Sequence, residues 1–169
     1  MAVSYRQLHA FTLLELAAVL AVIAILCALA LPPFMRTARR VRADALRTQI
    51  HVALTRARHE AIFRKRIVSA CASADGLTCS RDWNEGWIIY EGRGVPATRR
   101  QVLHRGQRTP APDLTARSNR RMTLFYPNGS SSAGSMSISL CLEGREHSKV
   151  VINFGGRISA RRARKIKLC

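Results

Sequence analysis

Five cysteines carry the most versatile chemistry in this chain: Cys27, Cys71, Cys79, Cys141 and Cys169. Thiols can bridge one another, bind a metal or attack a substrate. A tetrahedral metal site needs close pairs of the Cys-x-x-Cys kind. The intervals of seven, sixty-one and twenty-seven residues between the last four cysteines do not supply them. Cys27 lies inside an uncharged apolar run and is set aside, which leaves four thiols and three possible pairings. Cys71 and Cys79 flank Asp75-Gly76, a turn signal, so a hairpin brings them together. Cys141 and Cys169 remain, and their bond would pin the C-terminal end to a sheet. Each closure is worth about 2–4 kcal/mol, and two such bonds imply an oxidising compartment.

A second chemistry is cationic. The chain has 169 residues, 28 Lys/Arg and 10 Asp/Glu, for a formal charge of +18. Residues 155–169 carry Arg157, Arg161, Arg162, Arg164, Lys165 and Lys167 and no acid. The stretch 95–121 adds seven arginines against Asp113 alone. The planar guanidinium fork suits phosphate oxygens. Each neutralised phosphate releases counterion, so several contacts give salt-sensitive, sequence-independent binding. No aromatic lies within residues 155–169, so base stacking is not the mode, and backbone contact to double-stranded DNA fits better. The alternatives for this charge are a solvated surface and anionic lipid headgroups.

Catalysis finds no support. There is no Gly-x-Ser-x-Gly elbow, no Walker lysine loop and no His-Glu-x-x-His. His51 and His59 have no third ligand at useful spacing. The reading is a non-enzyme with no metal and no cofactor.

Residues 16–35, LAAVLAVIAILCALALPPFM, hold no charge. As a helix this run spans about 30 Å, the thickness of a bilayer core. A secretory signal would have a shorter apolar core and a small-residue cleavage site at its end; here the run passes into Pro32-Pro33 and then arginines. Glu15 stands at its head, where a carboxylate is costly in lipid without a partner. From Arg36 to Arg66 no Gly or Pro intervenes, and Leu46, Ile50, Ala53, Leu54, Ala57 and Ala61 recur at helical spacing. The spacing predicts a helix continuing from the membrane segment and bent at Pro32-Pro33, its apolar stripe on a sheet. Arg47, Arg56 and Arg58 fall off the stripe and read as a solvated face. Beyond residue 67, short apolar runs alternate with turn residues. Strands are expected at 67–71, 87–90, 122–126, 136–140 and 150–154, with 95–121 as a long loop or an edge strand. A long helix followed by four or more antiparallel strands is an α+β fold.

The stretch Ala10-Phe11-Thr12-Leu13-Leu14-Glu15-Leu16 resembles the type III signal of type IV pilins and type II secretion pseudopilins. The resemblance implies a leader over 1–10, a membrane-spanning assembly helix over 11–35, and a periplasmic pilin-like domain over 36–169 with a basic tail at 155–169. It implies that prepilin peptidase cuts between Ala10 and Phe11 and methylates Phe11. Glu15 would then pair with the N-terminal amine of a neighbouring pilin. Ala10 departs from the usual glycine before the cut but is still small. Arg36, Arg39, Arg40 and Arg42 would read as cytoplasmic by the positive-inside rule; the pilin-type signal places them outside, on a single-pass protein of the inner membrane. The Cys71–Cys79 stretch with Trp83, Gly86 and Trp87-Ile88-Ile89, and the ending Val151-Ile152-Asn153-Phe154-Gly155-Gly156-Arg157, resemble the FimT/GspH class of minor pilins. In FimT proteins a Gly-Arg-x-Arg motif near the C-terminus belongs to a DNA-binding surface used in uptake. Gly156 and Arg157 match it, and Ser159 stands where the second arginine would be. The function this implies is DNA binding in natural transformation. The alternative is a structural minor pseudopilin of type II secretion.

Overall fold

The computed structural model describes residues 13–94, 101–107, 111–132, 135–163 and 167–169. Among the described residues one long helix, α1 (Leu13–Arg64), is followed by eight strands: β1 (Val68–Ala72), β2 (Trp87–Glu91), β3 (Val102–Gly106), β4 (Leu114–Ser118), β5 (Met122–Phe125), β6 (Met136–Leu142), β7 (Arg145–Ile152) and β8 (Ile158–Arg162). The chain divides into an N-terminal unit ending at Arg39 and a compact unit, Arg40–Cys169.

In the N-terminal unit Leu16, Val19, Leu20, Val22, Ile23, Ile25 and Leu26 are all exposed. An 18-residue window of this helix reaches a mean hydropathy of 2.8 with none of it buried. It is long and apolar enough to cross a membrane. Pro32-Pro33 does not end the helix, which is one element through this point.

The compact unit is built on the remainder of α1. Ala43, Leu46, Ile50, Ala53, Leu54, Ala57 and Ala61 are buried, the predicted stripe extended by one residue at its start. The four alanines keep that face thin, so a sheet can approach the helix closely. Burying Leu46, Ile50 and Leu54 contributes about 1.5–3 kcal/mol each.

Two antiparallel four-stranded sheets share this stripe, in the orders β3-β2-β1-β5 and β4-β6-β7-β8. Both contribute to one core: Val68, Ala70, Ile89 and Phe125 from the first, Leu114, Ile138, Leu140, Val150 and Ile152 from the second. The stretch 95–121, expected as a loop or one edge strand, supplies two strands, β3 and β4, each at the edge of a different sheet. An edge strand that buries one face can be short and rich in arginine, which is why the apolar signal there is weak. Trp83 is fully buried beside Trp87, with ring centroids 6.3 Å apart. Gly106 faces Trp87 across the β2–β3 ladder, and a Cβ at that position would sit 1.9 Å from the indole ring.

In the central strands β1 and β2 of the first sheet nearly every residue is buried, so they lack simple alternation. Their outer face is covered by the segment after β1. There Cys71 and Cys79 are bonded with Cα atoms 5.5 Å apart, over a cluster of Ile88, Tyr90, Val102 and Met122. The connecting turn is organised by Asp75, whose Oδ1 accepts from the amides of Leu77 (2.8 Å) and Thr78 (2.7 Å) and from the Ser73 hydroxyl (3.0 Å). The Thr78 hydroxyl donates to the other carboxylate oxygen at 2.6 Å. Hydrogen bonds from the Thr78 hydroxyl and amide, then from Leu77, hold this carboxyl well below the usual range.

Candidate functional site

The basic C-terminal stretch contains a strand, β8, over Ile158–Arg162. After β7 the chain reverses at 153–157 and returns as β8, the outer strand of the second sheet. Asn153 closes the reversal: its Oδ1 accepts the Arg157 amide at 2.8 Å, and its carbonyl accepts the Gly156 amide at 2.9 Å. The reversal is bolted to the β5–β6 connection. The Ser131 amide donates to the Phe154 carbonyl (2.9 Å) and its hydroxyl to the Asn153 carbonyl (2.7 Å). Gly156 is buried at φ +74°, and a Cβ there would lie 1.9 Å from the Gly129 carbonyl oxygen. That carbonyl also accepts Arg58 Nε from α1 at 2.9 Å. Arg58 is therefore a structural tie and not part of a solvated face, because its position on α1 brings it against the β5–β6 turn. Arg56 is exposed, as expected.

The predicted cations separate into different situations. Arg157 is exposed immediately after the reversal. Arg162 pairs with Asp44 on α1. Asp44 also lies 3.1 Å from Arg47 and 3.9 Å from His147. Burial alone would raise the Asp44 carboxyl, but the hydrogen bond from Arg162 and the charges of Arg47, Arg162 and His147 outweigh it and hold it below its ordinary value. Burial, partly countered by Asp44 and reinforced by the surrounding arginines, lowers His147. Arg161 turns to the opposite face of β8 and is exposed. Lys167 is exposed while its carbonyl accepts the Glu146 amide at 2.8 Å. Beside it Cys169 is bonded to Cys141, with Cα atoms 6.3 Å apart, and its amide donates to Gly144 at 3.1 Å. Arg164 and Lys165 lie outside the described residues, as do Ala10 and Phe11. Glu15 is in the first turn of α1.

The sheet register places one of the seven arginines of 95–121, Arg117, in line with Lys149, a cation the sequence did not single out. Arg117 of β4 faces Ser139 of β6, Ser139 faces Lys149 of β7, and Lys149 faces Arg161 of β8. Each has buried neighbours on its own strand or lies outward of them: Ala116 and Ser118 beside Arg117, Ile138 and Leu140 beside Ser139, Ser148 and Val150 beside Lys149. All four therefore look away from the core. At about 4.8 Å per strand the row spans about 14 Å. Arg117, Ser139 and Lys149 line a cleft of about 660 Å³ that Ser137 and Lys167 also line, and Arg161 continues the row beyond it. Two acids lie at the row: Glu146 is 3.5 Å from Lys149 Nζ and accepts from the Ser139 hydroxyl at 3.3 Å, and Asp82, which lines the cleft, pairs by its backbone with Arg117. The alternation of serines in β6 signalled an outward polar face. Which basic residues join that face depends on strand order, which the sequence does not state.

The chain is similar to known proteins in two ways. A family model described as Type II transport protein GspH matches residues 47–156, from the buried half of α1 to the reversal before β8. Arg157 and the cations after it lie beyond the matched stretch. No curated protein matches the chain. Among solved structures, the type IV minor pilin FimU of Pseudomonas aeruginosa (strain PAO1) matches in two crystal forms. In space group P21 the TM-score is 0.58 at 23% identity, covering 80% of this chain and 97% of that one. In space group P65 it is 0.56 at 21% identity, covering 73% and 96%. The long helix on two antiparallel sheets is thus the type IV pilin fold, and the family match extends over more than half of the chain: the protein belongs to the GspH family.

Proposed function

We propose that the protein is a minor pilin whose exported domain binds double-stranded DNA without sequence preference, through the basic surface around β8, in support of DNA uptake during natural transformation. The observation that carries this reading is the acid-free run from Arg157 to Lys167, which passes through the edge strand β8 with Arg161 and Arg162 on it. Arg157 and Arg161 offer exposed guanidinium forks to phosphate oxygens. Arg162 contributes less, because Asp44 already balances its charge. In the same reading the apolar half of α1 anchors the subunit in the inner membrane with the sheets in the periplasm. Prepilin peptidase removes residues 1–10, and Glu15 meets the amine of a neighbouring pilin.

The test is fluorescence anisotropy of a labelled mixed-sequence duplex with the full chain in uncharged detergent, over a salt series. Binding should weaken steeply with salt. Arg157→Gln with Arg161→Gln should lower affinity on every duplex and flatten the log–log slope by about 0.9 per lost contact. A full chain that fails to bind DNA at near-physiological salt would sink this reading. A second reading, a structural minor pseudopilin of type II secretion, is favoured by the family's own description as a transport protein, and it takes over in that case.

A further inference from the structure

We infer that the DNA path crosses the outer face of the second sheet along the row Arg117–Ser139–Lys149–Arg161, with Arg117 and Lys149 as phosphate-contacting residues. The inference rests on the DNA-binding reading above and extends its site from the edge strand to the whole sheet face. The register sets the four residues in line. Arg117 and Arg161 are exposed, and the Lys149 side chain is 39% exposed.

The shape of the row selects the ligand. Its span of about 14 Å exceeds what one phosphate can occupy and is comparable with the about 12 Å width of the DNA major groove. Arg117 can meet the backbone on one side of such a groove while Lys149 and Arg161 meet the other. The centre of the row is a short serine, whose hydroxyl donates to Glu146 and could switch to a phosphate oxygen that displaces it, and whose small size lets a backbone approach. Thr115 and Ser137 continue the short hydroxyl lining of the cleft. The four residues of the row are polar or charged, and Leu168 is the exposed apolar side chain lining the cleft beside them, less apolar surface than an interfacial membrane anchor presents. Glu146 competes with the ligand for Lys149, and its position gives the inference a test of opposite sign.

The experiment uses the full chain in uncharged detergent and the same duplex and salt series. Arg117→Gln and Lys149→Gln should each lower affinity by roughly 3- to 10-fold at moderate salt and reduce the log–log slope by about 1. Arg117→Lys and Lys149→Arg, which keep the charge, should restore most of the binding. Glu146→Gln should raise affinity. Arg66→Gln removes the same charge just beyond the C-terminal end of α1, where Arg66 pairs with Glu91, and should leave binding unchanged. A circular dichroism melt verifies folding in each case. If the parent binds and the Arg157/Arg161 variant weakens while the row variants bind like the parent, the row is overturned and the edge-strand reading stands. If Arg66→Gln weakens binding as much as the row variants, net charge and not the row is responsible. If the row variants lose binding to phosphatidylglycerol vesicles and keep binding to DNA, the face serves a lipid surface and the inference fails. A parent that binds no DNA overturns both readings together.

Discussion

Gly156 shows how one residue can carry two messages. In sequence it is half of a Gly-Arg pair, read for the arginine. In the structure the glycine has its own reason. Its φ of +74° and the 1.9 Å approach of its Cβ position to the Gly129 carbonyl leave no room for a side chain. Gly156→Ala should destabilise the full chain by more than about 1 kcal/mol, read as a lower midpoint in a thermal melt, because the reversal must lift off the β5–β6 turn. DNA affinity should fall with it, since the Arg157 amide is fixed by the same reversal. An unchanged melt would mean that the turn relaxes freely. Arg157 was legible as a cation from the residues beside it. The role of Arg58 was not, because helical spacing tells which residues leave the apolar stripe but not which turn arrives over them.

At the scale of elements, the helix stripe and the core strands were readable because each follows one period: three to four residues for α1, two for β6. The partition into two sheets was not readable. It depends on long-range pairing, such as β1 with β5 and β4 with β6, that leaves no local trace. The row of cations across the second sheet was hidden for the same reason. The end of the chain is a further case of elements held by distant partners. Lys167 and Cys169 hydrogen-bond beside Gly144 and Glu146, and Cys169 is bonded to Cys141. Cys169→Ser should cost about 2–4 kcal/mol of stability in the oxidised protein. β8, paired with β7 from Ile158 to Arg162, should stay protected from hydrogen exchange while the amides of Glu146 and Cys169 lose protection. Loss of protection throughout β8 would show that the bond, and not strand pairing, holds the edge.

For the whole molecule, the division at Arg39 separates an apolar unit from a compact one, and the charge follows the division. The proposed maturation acts on the first unit alone. Intact-mass analysis of the membrane-extracted protein should show loss of residues 1–10 and one added methyl group on Phe11. Glu15→Ala should leave cleavage unaffected and block entry into a filament, followed by blotting sheared filament fractions. A chain that remains uncut in cells with active prepilin peptidase would contradict the maturation.

β8 has a consequence for the protein's company as well as for its ligands. As the outermost strand of its sheet it has no second strand beside it among the described residues, and an open edge of this kind invites another strand to add to it. Subunits held side by side in a membrane would meet such edges often. Arg161 on this strand and Arg157 just before it place like charges along the edge, so two copies approaching edge to edge repel before their backbones can pair. The residues proposed to attract a nucleic acid thereby also act as a guard against self-association into continuous sheets. The guard weakens whenever a polyanion neutralises it, so on the proposed function a subunit that had bound DNA would be the one most exposed to edge pairing.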